Sequence, residues 1–143
     1  GQGYRIERAY YDPEGKRVQP DRLTQGQRLV VLVTVTADQA GAARLLVDDP
    51  LPAGFEIENP RLAKDPPSVK TGDGVTPAYT DIRDDRIVLA FGRLEPGTYH
   101  YYYVVRAVTP GVYQYPAAAA ECMYDAQIHG ASVPSMVTVT AVN

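Results

Sequence analysis

Cysteine occurs once in this 143-residue chain, at Cys122, so no internal disulfide can form and no cysteine-built zinc site can either. That count leaves the redox compartment open. Tryptophan is absent and phenylalanine occurs twice, so the Cys…Trp…Cys core of antibody domains is missing. The two histidines, His100 and His129, do not stand at metal-ligand spacing from each other or from the cysteine. No run of about 18 apolar residues is present, which argues against membrane insertion by this chain. No signal peptide is visible and there is no initiator methionine. The start, Gly1-Gln2-Gly3, is that expected of a fragment of a larger protein. The net charge is −3, and Arg5, Arg8, Lys16, Arg17, Arg22 and Arg28 are scattered along the chain, so nucleic acid is not an expected partner. Phosphate-binding glycine loops and the GxSxG nucleophile elbow are also missing. No cofactor and no enzymatic activity are expected.

What the chain does have is alternation. Hydrophobic residues make up 45% of it, and tyrosine occurs 11 times. In RLVVLVTVT, from Arg28 to Thr36, Leu29, Val31, Val33 and Val35 share one face, which predicts a central buried strand. Further strands are expected over Tyr4 to Tyr11, Ala43 to Asp48, Phe55 to Glu58, Tyr79 to Arg83, Arg86 to Phe91, Thr98 to Val108, Val112 to Tyr115 and Ser135 to Val142. The strand from Ala43 is expected to form a hairpin with the one before it, across a turn at Asp38 to Gly41. Turns are also expected at Pro13 to Lys16, Asp84-Asp85, Leu94 to Gly97 and Thr109 to Gly111, and a long polar loop over 61–77. The 12 glycines and 12 prolines fall mostly between apolar runs. Together these predict one domain over residues 1–143, an all-β, antiparallel, immunoglobulin-like sandwich of about eight strands. Val31, Val33, Val35, Leu46, Val88, Tyr103, Val105, Val137 and Val139 are the expected core.

Candidates for chemistry are few. His100 lies on the face opposite Tyr99 and Tyr101, where a hydrogen-bonded strand histidine is the plain expectation. The pairs Asp48-Asp49 and Asp84-Asp85 suggest turn chemistry, since strand neighbours point to opposite faces and make no acid–base couple. Asp73 and Asp81 lack the spacing of a calcium loop. Alternating tyrosines could offer rings to a sugar, but such residues normally pack across strands. The segment from Tyr113 to Gly130 departs from the β code, and from Pro116 on it is expected to be irregular, with Cys122, Met123 and Tyr124 in a loop. Those residues could carry function or simply cap the sandwich.

Four blocks resemble the bacterial alpha-2-macroglobulins. They are Asp49-Pro50-Leu51-Pro52-Ala53-Gly54-Phe55-Glu56-Ile57-Glu58-Asn59-Pro60; Asp84-Asp85-Arg86 before a strand; Tyr101 to Val108 running into Thr109-Pro110-Gly111-Val112-Tyr113; and Glu121-Cys122-Met123-Tyr124. In this order they span most of the chain. The resemblance implies a macroglobulin-type sandwich at the C-terminal end of a periplasmic, often membrane-anchored protease trap. It implies two partners, the thioester domain of the same parent chain and the proteases that the parent captures. It also gives Met123 and Tyr124 the role of shielding the thioester from water. Cys122 is outside any CxEQ motif and is not the thioester cysteine. The competing expectation is a structural or adhesive sandwich module of a bacterial surface protein.

Overall fold

The structure, a computed structural model, describes residues 4–37, 45–58, 79–92, 96–122 and 125–142, with 79–80 and 125–129 described by their backbone alone. Its elements are β1 (Tyr4–Tyr11), β2 (Arg22–Thr24), β3 (Arg28–Ala37), β4 (Leu45–Pro50), β5 (Phe55–Glu58), β6 (Tyr79–Ile82), β7 (Arg86–Phe91), β8 (Gly97–Ala107), β9 (Gly111–Tyr115), β10 (Ala119–Cys122), β11 (Asp125–Ala131) and β12 (Ser135–Thr140). They form a four-stranded sheet β1-β3-β8-β5, a five-stranded sheet β11-β10-β4-β7-β6 and a three-stranded sheet β2-β12-β9. Pairing is antiparallel except where β2 lies parallel to β12. The expected all-β sandwich is therefore present, with twelve strands among the described residues against about eight expected.

Alternation positions the core. Leu29, Val31, Val33 and Val35 of β3 point inward with Tyr103, Val105 and Ala107 of β8, Leu45 and Val47 of β4, and Ile87, Leu89 and Phe91 of β7. Tyr115, Ala118, Ala120, Val137 and Val139 complete one cluster drawn from all three sheets. Burying each large side chain here contributes roughly 1.5–3 kcal/mol of transfer free energy. Tyr99 and Tyr101 pack against this cluster rather than presenting a free aromatic face.

Four expectations are corrected. β4 does not pair with β3; it runs between β7 and β10 in the other sheet. Both β3 and β4 carry inward apolar faces, so setting them in opposing sheets buries both. Leu46 and Val88 are only half-buried, because the inward phase of their strands belongs to Leu45 and Val47 and to Ile87 and Leu89. Asp48 and Asp49 lie inside β4 and not in a turn. The segment after Pro116 is not irregular; it forms β10 and β11, whose alanines have little intrinsic strand preference, β10 being held by the β4 ladder and β11 by β10. The expected turn at 38–41, the loop at 61–77 with Asp73, and Met123 and Tyr124 lie outside the described residues.

Two turns show how local chemistry ends the strands. After β1 the Asp12 carboxylate accepts hydrogen bonds from the Glu14 and Lys16 amides, at 3.0 and 2.9 Å. Gly15 supplies φ +93°, a conformation that glycine adopts without steric cost. At the same end of the sheet the Tyr113 ring packs on Gly54. A Cβ at Gly54 would stand 2.5 Å from that ring and 2.8 Å from the Thr109 carbonyl oxygen. The Tyr113 hydroxyl shares its proton between the Thr109 and Pro110 carbonyls, at 2.9 and 3.1 Å. The Gly54 carbonyl accepts from the Val108 and Thr109 amides, at 2.8 and 3.1 Å.

Gly54→Ala should therefore lower stability by about 1–3 kcal/mol through overpacking, read as a fall in the urea midpoint. Adding Tyr113→Ala should recover part of that steric loss, giving a non-additive cycle. An unchanged midpoint in Gly54→Ala would show that the corner yields freely.

Candidate functional site

The period-two pattern of β1 turns Tyr4, Ile6, Arg8 and Tyr10 toward the interior, and that of β4 turns Leu45, Val47 and Asp49 the same way. One positive and one negative side chain thus enter the core from opposite sheets. The Arg8 side chain is 2% exposed and that of Asp49 1%, and their closest approach is 2.6 Å, from Nη2 to Oδ1. Arg8 Nε donates to the same oxygen at 2.9 Å. The Tyr103 hydroxyl donates to the other carboxylate oxygen at 2.5 Å. Arg8 also donates to two main-chain carbonyls, that of Pro116 at 2.7 Å and that of Pro50 at 3.2 Å. Its guanidinium carbon lies 4.4 Å from the centroid of the Tyr115 ring, a cation–π contact. Tyr10 and Phe55 flank that ring at 5.6 and 6.3 Å.

Burial acts against every charge in this cluster. It raises the Asp49 carboxyl above the usual range, while Arg8 and the Tyr103 hydroxyl pull it back. Burial would lower the Arg8 guanidinium, but Asp49 and the neighbouring phenols outweigh it, so the group stays firmly protonated. Burial pushes the Tyr103 and Tyr115 hydroxyls well above the ordinary tyrosine value, with nearby Asp49 adding to the rise. Those phenols remain proton donors. The cluster can thus hold strands in place but offers neither a free base nor a nucleophile. A groove of about 540 Å³ runs past Arg8 between β1 and residues 130–135. It does not make an anion site of Arg8, whose charge is already met by Asp49.

The residues singled out from the sequence fall elsewhere. Met123 and Tyr124 stand in the chain between β10 and β11, outside the described residues. Beside them Glu121 is exposed and the Cys122 thiol is free and buried. His100 pairs across the sheet with Thr34, its Nδ1 lying 3.0 Å from the threonine Oγ1, as expected of a strand histidine. Asp48 points away from Asp49 and meets Arg86 at 2.9 Å. Asp84 and Asp85 form the β6–β7 turn, closed by the Arg83 amide on the Arg86 carbonyl at 2.9 Å. Among the described residues no group of three or more His, Cys, Asp or Glu could hold a metal ion. The Arg8–Asp49 pair was missed from the sequence, although the parity of both strands placed each charge on the apolar face.

Arg8→Met should cost about 3–5 kcal/mol, because it strands a buried carboxylate. Combining it with Asp49→Leu should recover a large part of the loss in urea denaturation. Losses that simply add would show that the two residues act separately.

Comparison with known proteins adds the family. The family model described as Bacterial Alpha-2-macroglobulin MG10 domain matches residues 3–127. The alpha-2-macroglobulin of Xylella fastidiosa (strain Temecula1) is 37% identical over 94% of this chain and 9% of its own length. The structure of Salmonella alpha-2-macroglobulin reacted with methylamine superposes with a TM-score of 0.81 at 33% identity, covering 97% of this chain and 9% of that one. Trypsin-activated alpha-2-macroglobulin from Escherichia coli gives 0.82 at 29% identity, covering 98% and 10%. The chain thus spans about a tenth of these relatives' length. With the MG10 model covering most of its residues, and the same sandwich in these relatives, the chain belongs to the bacterial alpha-2-macroglobulin family as one of its macroglobulin-like domains.

Proposed function

We propose that this chain serves as the C-terminal, non-catalytic domain of a periplasmic, membrane-anchored protease trap. In this reading it packs on the thioester domain of the same parent and shields the thioester with Met123 and Tyr124. The observation that carries the reading is the MG10 match over residues 3–127, which includes the Glu121-Cys122-Met123-Tyr124 block. The relatives support it further. One is described as activated by trypsin, a protease, and another as reacted with methylamine, a small amine nucleophile. An amine attacks an acyl carbon and expels a thiolate, which is the chemistry a protected thioester would show once uncovered. Target proteases would meet the parent rather than this domain.

The physical case for the shield is simple. Water that reaches the thioester carbonyl hydrolyses it. A methionine and a tyrosine exclude water over a large area, and the tyrosine hydroxyl can still find a partner.

In a thioester-bearing parent, Tyr124→Ala should speed the appearance of free thiol in the absence of protease. In this chain alone the same change should leave stability within about 0.5 kcal/mol. An unchanged rate of thiol appearance would end the shield reading. Stoichiometric protease inhibition by this chain alone would end the reading of it as one part of a trap.

A further inference from the structure

Within the five-stranded sheet, β11 is an edge strand and β10 is its ladder partner. That ladder is broken. Glu121 stands opposite His129, but the next residue, Cys122, stands opposite Asp125, so residues 126–128 have no opposite number in β10. On its other side β10 meets β4 through four paired positions, from Ala119 with Asp48 to Cys122 with Leu45. The inward side chains of β10 are Ala120 and Cys122. They bury far less apolar surface than the leucine and valines of β3, so they hold β10 to the core less strongly. β11 crosses β1 at Gly130, where a Cβ would stand 2.5 Å from the Tyr4 carbonyl oxygen. The two strands approach there backbone to backbone, with no interlocking side chain at that position.

The base of the hairpin is built differently. The Ser132 amide donates to the Ala118 carbonyl at 2.8 Å, and the Ala118 amide donates to the Ser132 hydroxyl at 2.8 Å. Arg8 fixes the Pro116 carbonyl two residues earlier at 2.7 Å. One end of the hairpin is therefore pinned by charge-assisted and reciprocal hydrogen bonds, while the other rests on small side chains and an interrupted ladder.

From this asymmetry we propose that the β10–β11 hairpin opens as a unit about its base at Ala118 and Ser132 while the rest of the sandwich stays folded, and that Cys122 is uncovered when it does. Opening breaks the short β10–β4 ladder and lifts Gly130 from Tyr4, leaving the β3–β8 and β4–β7 ladders whole. Such a partial opening is a local unfolding event with a free energy below that of global unfolding. It stands independently of the shield reading and holds or fails without the parent protein.

Cys122 is the one cysteine of the chain and is 2% exposed, so its labelling by an aromatic disulfide reagent reports the opening directly. In the wild-type chain, below the unfolding transition, the labelling rate should be nearly independent of urea. It should also exceed by about tenfold or more the rate that global unfolding allows. Gly130→Ala should raise the native rate about tenfold by pushing β11 off β1. Val139→Ala, in the core of β12, should lower the unfolding midpoint without raising the native rate. Should Gly130→Ala fail to fold, Ala120→Gly tests the same hairpin through β10 by removing an inward methyl, and is expected to speed labelling as well. A labelling rate that climbs with urea on the slope of global unfolding would overturn the proposal. So would a Val139→Ala rate as fast as that of Gly130→Ala, or labelling complete on mixing.

Discussion

A single buried ion pair ties the three sheets together. Arg8 comes from the four-stranded sheet and Asp49 from the five-stranded one. Tyr103 returns to the first, and Tyr115 brings in the third. A charge taken out of water loses several kcal/mol of hydration, and Coulomb attraction offsets that only where the remaining donors and acceptors are also met. Here both charged groups are met. Asp49 accepts on both oxygens, and Arg8 reaches a carboxylate, two carbonyls and an aromatic face. The pair thus fixes geometry more than it adds stability. A sandwich held only by apolar contacts could slide along its layers at small cost, whereas this one would strand a charge if β1 and β4 slipped by a residue. Period-two structure makes that penalty steep, because a one-residue slip would turn Arg8 or Asp49 to the opposite face.

The same cluster explains an unevenness in the fold. Around Arg8 the packing side chains are large: Tyr10, Phe55, Tyr103 and Tyr115. Toward β10 they shrink to Ala118, Ala120 and Cys122. Gly130 is buried where β11 meets β1, at a spacing that excludes any Cβ. Small residues allow close backbone approach but bury little surface, so the edge hairpin lies near the core without being strongly held by it.

Much of this was legible in the sequence, and the reasons for the misses are specific. Tyr4–Tyr11, Phe55–Glu58 and Arg86–Phe91 are strands with the expected bounds, because each has clear alternation or hard stops in proline, glycine or aspartate. β10 and β11 were not legible. Alanine carries almost no strand preference; pairing to β4, distant in the chain, decides the conformation of β10, and β11 pairs in turn with β10. The β3–β4 hairpin was misjudged because nearness in sequence suggests pairing, while two inward-facing apolar strands are better buried in opposing layers. Leu46 and Val88 were placed one residue out of phase, the error to which short, uniformly apolar strands are most prone. Arg8 and Asp49 were legible in principle. Opposite charges on the apolar parity of two strands are a signal, and it was obscured by reading Asp48-Asp49 as a turn.

Arg8 also ties the core to the segment that leads into β10. Its Nη1 holds the Pro116 carbonyl, a fixed point just before the chain enters β10 and runs on to the Glu121-Cys122-Met123-Tyr124 block. If that block shields a neighbouring domain as proposed, it needs a fixed origin and a compliant end. The fixed origin comes from a buried charge pair that cannot shift without stranding a carboxylate. The compliance comes from alanines, a glycine and a broken ladder. The inward alanine of β10 is closely packed, Ala120 being 1% exposed, and valine or leucine there would overpack the core. The small size of that alanine has a physical use if the strand must lie close to β4 in one state and part from it in another.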